Sequence, residues 1–136
     1  EELEVLVKPI IENRADLVLG SRMILSESRA ALLPQAKYGN RLAVFLIRLF
    51  FHYHFTDLGP FRAIRYESLK EISMVDTNFG WTVEMQIKAV KHGLRIEEIP
   101  VHYRKRIGVS KITGTLSGTF KAGTKIIYTI FKYLLL

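Results

Sequence analysis

The residues best suited to chemistry concentrate in one stretch, 79–111, FGWTVEMQIKAVKHGLRIEEIPVHYRKRIGVSK. Glu84 stands near the start of a helical pattern with Phe79 and Trp81 beside it. A carboxylate near apolar rings can have a raised pKa and serve as a general base. The same residue also reads as a solvated helix carboxylate paired with Lys88 one turn on. At the far end, Arg104, Arg106, Ser110 and Lys111 are the best candidates for holding a phosphate. The arginine fork matches phosphate oxygens, a serine hydroxyl and loop amides add donors, and Gly108 lets the backbone approach closely. The alternative is a basic loop in water.

Three further positions could line a site. Asp57 and Arg62 bracket a turn and a strand, as an active-site rim or as a turn-capping aspartate with a surface arginine. Arg22, two residues after Gly20, carries the same pair of readings. His52, His54 and His102 raise a metal hypothesis, but a two-residue spacing on an uncertain element is a weak ligand pattern. Nothing resembles a Ser–His–Asp arrangement, a phosphate-binding P-loop or a dinucleotide fingerprint.

The elements that would carry these residues follow from periodicity. Residues 16–20, DLVLG, form a short apolar run ending in glycine, the pattern of a buried strand in an α/β sheet. Arg22 then falls at the strand's carboxyl end, where open α/β sheets put their ligand groups. Residues 23–34 show no convincing period and read as a loop. A helix is expected over 35–51, and its second half, LAVFLIRLFF, is apolar on almost every side, as in a buried helix or one facing lipid. Residues 57–60 are turn chemistry, 61–64 alternate like a strand, and 66–72 make one or two helical turns. The central stretch predicts a helix over 81–92 stopped at Gly93, a strand over 94–99, a break at Pro100 and a second extended piece over 101–103. Residues 113–118 read as a small-residue loop. From 119 to the end a final helix gathers Lys121, Lys125 and Lys132 on one side, with Ile126, Ile127, Ile130, Phe131 and Leu134 on the rest.

Composition sets the outer bounds. A chain of 136 residues, 49% of them hydrophobic, can build one domain with a core. Its formal charge of +7 favours an anionic partner: nucleic acid, an acidic membrane surface or a phosphorylated small molecule. Nucleic acid is disfavoured, because no helix-turn-helix, ribonucleoprotein or zinc pattern accompanies the charge. Without cysteine there is no disulfide framework and no thiolate chemistry, which fits a reducing compartment. No signal peptide or bilayer-spanning apolar run is read, so a cytoplasmic location, at most at the cytoplasmic face of a membrane, is expected. The charged start, EELEVLVKPII, reads as the tail of a helix and suggests a fragment or an excised domain.

In order, ADLVLGSR, TDLGPFRAIR and FGWTVEMQIKAVKHGLRIEEIPVHYRKRIGVSKITGT resemble family 2 glycosyltransferases, above all the dolichyl- and polyprenyl-phosphate sugar synthases. The match runs from about residue 16 to 115. It implies an α/β chain, a partial GT-A (Rossmann-like) fold comprising the carboxyl-terminal, acceptor half over residues 1–115, with a basic amphipathic helix over 116–136. It also implies a nucleotide-sugar donor, a lipid-phosphate acceptor, a divalent ion (Mg2+ or Mn2+) and inversion at the anomeric carbon. By position, Arg22 lies near the donor phosphates or the active-site loop, while Asp57, Gly59 and Arg62 match an acceptor-side segment. Glu84 matches the acid that opens the acceptor-side helix, a base toward hydroxyl acceptors and a positioning group toward an ionised phosphate. Arg106, Ser110 and Lys111 match the loop that closes over pyrophosphate and acceptor phosphate. Here that loop is one residue short, so Arg104 competes with Arg106 for the arginine's role. No Asp-x-Asp metal motif occurs in the chain. The expectation is therefore no tight metal binding and no transferase activity by this chain alone. The final helix suits an anionic bilayer surface or packing on the domain, and a homo-oligomer stays open. A non-catalytic interaction module and a nucleic-acid-binding domain are the other two function classes. A half-domain of this kind would also leave a sheet edge for the other half to cover.

Overall fold

The computed structural model describes residues 2–77, 80–102 and 116–135, with side chains excluded over 116–120. Everything in the fold is built around one strand. β1 (Leu17–Ser21) is buried at every position, as its unbroken apolar run predicts, because helices cover both of its faces. It is the middle of a three-stranded sheet. β2 (Arg62–Ile64) runs antiparallel on one side, with Leu17 opposite Ile64 and Leu19 opposite Arg62. β3 (Ile96–Pro100) runs parallel on the other, with Leu17 opposite Ile96 and Leu19 opposite Glu98. The chain is thus a mixed α/β protein, consistent with part of a Rossmann-like domain.

The pleat sends alternate residues to two cores. Val18 and Ala15 pack beneath Leu6 of α1 (Glu2–Ile11), with Ile99 beside them. Leu17 and Leu19 face the larger core on the other side, where they meet Ala43, Ile47, Phe55, Ile72, Val83, Ile87 and Ile130. That core is roofed by α3 (Pro34–Phe51), α5 (Trp81–Lys91) and α6 (Leu116–Leu135), while α4 (Tyr66–Ile72) closes its flank. Pro34 opens α3, where a missing N–H costs nothing and the fixed φ suits the helix. Gly93, at φ +69°, ends α5 and turns the chain into β3, a conformation an L side chain resists.

One aspartate ties the three strands together at the end away from their ligand-facing tips. Asp16 accepts from the Arg95 amide at 2.9 Å and from its guanidinium at 3.0 Å, and pairs with Arg65 at 3.3 Å. Arg65 and Arg95 immediately follow β2 and precede β3. The Arg95 hydrogen bonds outweigh the effect of partial burial and hold the Asp16 carboxyl down at about 2.

Three expectations need correction. The segment read as a loop over 23–34 contains a short helix, α2 (Ser26–Ala31). It has no period to announce it, because a tertiary contact holds it: the buried Ser28 hydroxyl donates to the Val101 carbonyl at 2.8 Å. The last helix begins at Leu116, three residues earlier than expected, and runs through Gly118. A glycine costs about 1 kcal/mol there, and a long packed helix absorbs it. Pro100 ends β3 instead of lying beyond it, and pairing reaches one residue further, the Val101 amide donating to Ser21 at 3.1 Å. Tyr103 lies outside the described residues.

Candidate functional site

The carboxyl end of β1 is where the sequence-predicted residues converge. Arg22 leaves β1 there, and residues 55–60 cross in front of it. Asp57, only 2% exposed, accepts from the Arg22 amide at 2.8 Å, from Nε at 2.9 Å and from Nη2 at 2.8 Å. This is a bidentate, charge-assisted pair with one carboxylate buried, a rigid mount for a guanidinium that remains one-fifth exposed. Gly59 lies against the pair: a Cβ there would sit 3.0 Å from Asp57 Oδ2 and 3.1 Å from Arg22 Nε.

A second cation is fixed beside it. Arg62 donates to the Gly59 carbonyl at 2.7 Å, to the Gln86 side-chain oxygen at 2.9 Å and to the Thr82 carbonyl at 3.2 Å. Its guanidinium also lies 5.3 Å from the centre of the Trp81 ring. Burial pulls it down to about 10, against the opposing pull of Asp57, so it stays charged at neutral pH. The structure therefore brings Arg22, Asp57 and Arg62 together, through Gln86, whose amide nitrogen donates to the Asp57 carbonyl at 3.1 Å. Arg62 is thus not a bare surface arginine, and Asp57 pairs with Arg22 in addition to shaping its turn.

Behind the pair runs a polar chain that periodicity only half announces. Glu98 accepts from the Thr56 amide at 2.9 Å and from its hydroxyl at 2.9 Å, and the Thr56 hydroxyl meets Ser21 Oγ at 2.6 Å. Asn40 on α3 completes the turn by donating to the Thr56 carbonyl and accepting from the Leu58 amide. Burial pushes the Glu98 carboxyl up, the Thr56 hydrogen bonds oppose this, and the Asp57 charge reinforces it. The signal for Glu98 was present in the alternation of IEEIP, which puts it on the same sheet face as Ile96. Gln86 and Asn40 gave none, Gln86 as a lone amide in an apolar helix pattern and Asn40 as one of several polar residues in the first half of α3.

Arg22, Asn40 and Leu58 also line a cavity of about 220 Å³ between the amino-terminal parts of α3 and α6. Its walls include Ala36, Gly39, Ala122 and Gly123, residues too small to fill the gap.

Glu84 occupies a different position and a different state from either reading of the sequence. It is wholly buried. Lys88 lies 2.7 Å away, as the helical spacing predicts, yet the pair is not solvated. The Tyr133 hydroxyl donates to Glu84 at 2.8 Å, and the amides of Val75 and Asp76 donate at 2.9 and 2.7 Å. Burial alone would raise its pKa, as expected beside apolar rings, but the Lys88, Asp76, Tyr133 and Val75 hydrogen bonds outweigh it and hold the carboxyl below the usual range. Tyr133 responds in the opposite direction, pushed up to about 12 by burial and the adjacent carboxylate. A cavity of about 270 Å³ opens next to this cluster, lined by Asp76, Lys125, Tyr128 and Lys132 among others.

Arg104, Arg106, Ser110 and Lys111 lie outside the described residues, as does Phe79. The three histidines do not meet: His102 pairs with Glu2 at 3.2 Å, and His52 caps α3 in the left-handed region. Among the described residues no group of three or more His, Cys, Asp or Glu side chains can hold a metal ion. Asp57 is committed to Arg22 and Glu84 to four donors, so these residues do not fit the divalent ion implied by the resemblance. No helix of the described residues is long and apolar enough to cross a membrane.

No protein-family model matches the chain, and no solved structure matches it. Curated relatives do. An uncharacterized protein of Methanocaldococcus jannaschii is 31% identical over 123 residues, covering 84% of this chain and 50% of that protein. A dolichyl-phosphate hexose transferase of Haloferax volcanii is 33% identical over 107 residues, covering 76% of this chain and 44% of that protein. An uncharacterized glycosyltransferase of Mycobacterium bovis is 36% identical over 67 residues, covering 48% of this chain and 31% of that protein. The chain thus spans between about a third and a half of the length of the curated relatives it matches. These similarities support a glycosyltransferase family for this chain.

Proposed function

We propose that the chain is the acceptor-binding half of an inverting family 2 glycosyltransferase of the GT-A type, acting on a nucleotide sugar and a polyprenyl-phosphate-type acceptor. The observation that carries this reading is the Arg22–Asp57–Arg62 arrangement at the carboxyl end of β1, two rigidly held arginines of which Arg22 lines a cavity. Fixed guanidiniums recognise phosphate oxygens with little ordering left to complete on binding. The name of the Haloferax relative supports the acceptor class, since that protein is called a dolichyl-phosphate transferase.

In this reading Arg22 and Arg62 bind the acceptor's phosphate, and Arg104, Arg106, Ser110 and Lys111 close over it and over the donor's pyrophosphate. Asp57 orients Arg22. Glu84 orients α5 against α6, consistent with an acceptor that is already ionised and needs no base. The donor and its Mg2+ or Mn2+ ion belong to the Asp-x-Asp half, and the chain alone is inactive. Incubation with nucleotide sugars, either metal and farnesyl phosphate checks this. The expected result is no transfer by the 136-residue chain and transfer once a donor-binding half from a relative is joined to it. Turnover by the chain alone would overturn the division of labour.

A further inference from the structure

The cavity of about 270 Å³ beside Glu84 shares no lining residue with the one beside Arg22, and nothing in the acceptor reading uses it. It lies between residues 75–77 and the later turns of α6, where Lys125, Tyr128, Thr129, Lys132 and Tyr133 follow one another at helical spacing and share one face. Its wall is firmly built. The wholly buried Glu84 carboxylate is held there by the Tyr133 hydroxyl, the Lys88 ammonium and the amides of Val75 and Asp76. Gly80 lets this wall close up, since a Cβ on it would meet Asp76 Oδ2 at 2.5 Å and Thr129 Oγ1 at 2.6 Å.

The acids of this wall are already matched. Lys88 lies 2.7 Å from Glu84, and Lys125 lies 3.3 Å from Asp76. Lys132 is the third ammonium around the cavity, exposed, with no carboxylate within ion-pair distance among the described residues and the Tyr133 ring centre 5.5 Å away. Three lysines therefore surround two carboxylates, which leaves a positive site rich in donors. We propose that this cavity binds a small water-soluble phosphomonoester, with Lys125 and Lys132 holding the phosphate and the Tyr128 hydroxyl adding a donor. Ammonium groups hold phosphate oxygens as point charges, and the helix fixes the two lysines seven positions, or two turns, apart. At ~30 Å³ per water, the volume is that of roughly nine waters, room for a phosphate on a small polyol. Val75 is the only aliphatic residue among the described ones that line it, so the cavity offers nothing to an acyl or isoprenoid chain. The ligand's source is thus a soluble metabolite.

Isothermal titration of the full 136-residue chain with glycerol phosphate tests the site, with glycerol as the ligand lacking the charge. Saturable binding of glycerol phosphate is expected, and none of glycerol. Lys132→Gln should weaken it roughly tenfold, as for loss of a hydrogen bond to a charged group, and Tyr128→Phe roughly threefold. Both side chains are exposed, so unchanged circular dichroism is expected in each variant. Lys121→Gln removes the same charge from the same helix outside the cavity and should leave binding unchanged. Absence of binding, or equal loss in Lys121→Gln and Lys132→Gln, would overturn the proposal. So would loss in Arg22→Gln with none in Lys132→Gln, which would place the phosphate at the other site. Tighter binding of dihexanoyl phosphatidic acid than of glycerol phosphate would also overturn it, by giving the cavity to a lipid headgroup.

Discussion

Two carboxylates, Glu84 and the half-buried Glu98, differ in how far hydrogen bonds offset their burial. Glu84 has four donors and a pKa below the usual range, whereas at Glu98 burial outweighs the hydrogen bonds from Thr56 and Asp57 and the pKa lies above that range. The first is therefore a pin, and the second holds its charge less firmly than a free glutamate. The bond from the Tyr133 hydroxyl links α6 to α5 through Glu84, at a point where the Lys91 ammonium also donates to the Tyr133 carbonyl at 2.9 Å. A double-mutant cycle over Glu84→Gln and Tyr133→Phe, read by chemical denaturation, is expected to give a coupling of about 1.5–3 kcal/mol, the range for a hydrogen bond to a charged group. A coupling near zero would mean that α6 is held by its apolar face alone. Helical spacing found the Lys88 partner of Glu84 in the sequence. It could not find Tyr133, Val75 or Asp76, because those contacts depend on how α6 and residues 74–77 fold back over α5.

Among the elements, β1 does two jobs at its two ends. At its start Asp16 gathers the flanks of β2 and β3, and at its finish Arg22 meets Asp57. The strand itself and its burial were legible from an unbroken apolar run ending in glycine, and α3, α4, α5 and β3 from their apolar patterns and the proline, glycine or turn residues near their ends. α2 was not legible, being too short for a period and held by Ser28 bonding to Val101. Asp16 was read only as the start of a strand, since its partners Arg65 and Arg95 lie 49 and 79 positions away. Its pKa is depressed from 3.8 to about 2 in the folded chain. The stability it adds is thus fully present above about pH 4 and is lost as the pH falls toward 2. Thermal melts should show Asp16→Asn melting several degrees below the parent at neutral pH, with the gap closing across that window. A gap that persists below pH 2 would mean that the aspartate's geometry matters and its charge does not.

For the molecule as a whole, one sheet carries two cores, and the site lies where β1, the 55–60 turn and α5 meet. The outer strands of the described sheet are β2 and β3, and a donor-binding half would have one of these edges to extend. The site's halves differ in legibility for a physical reason. Arg22, Asp57 and Arg62 could be nominated from residue type and from the strand ends they occupy, but their assembly into one pair-and-neighbour unit needed the crossing of residues 55–60 over β1. This unit is proposed to receive a phosphate carried on an isoprenoid chain. Isothermal titration of the full chain with farnesyl phosphate tests it most directly, with farnesol as the ligand lacking the charge and Arg22→Gln as the variant lacking the fork. Saturable binding of farnesyl phosphate is expected, with weaker binding of farnesol and a loss of roughly tenfold or more in Arg22→Gln, as for removal of a charge-assisted contact. Equal binding of farnesol and farnesyl phosphate, or no change in Arg22→Gln, would contradict it.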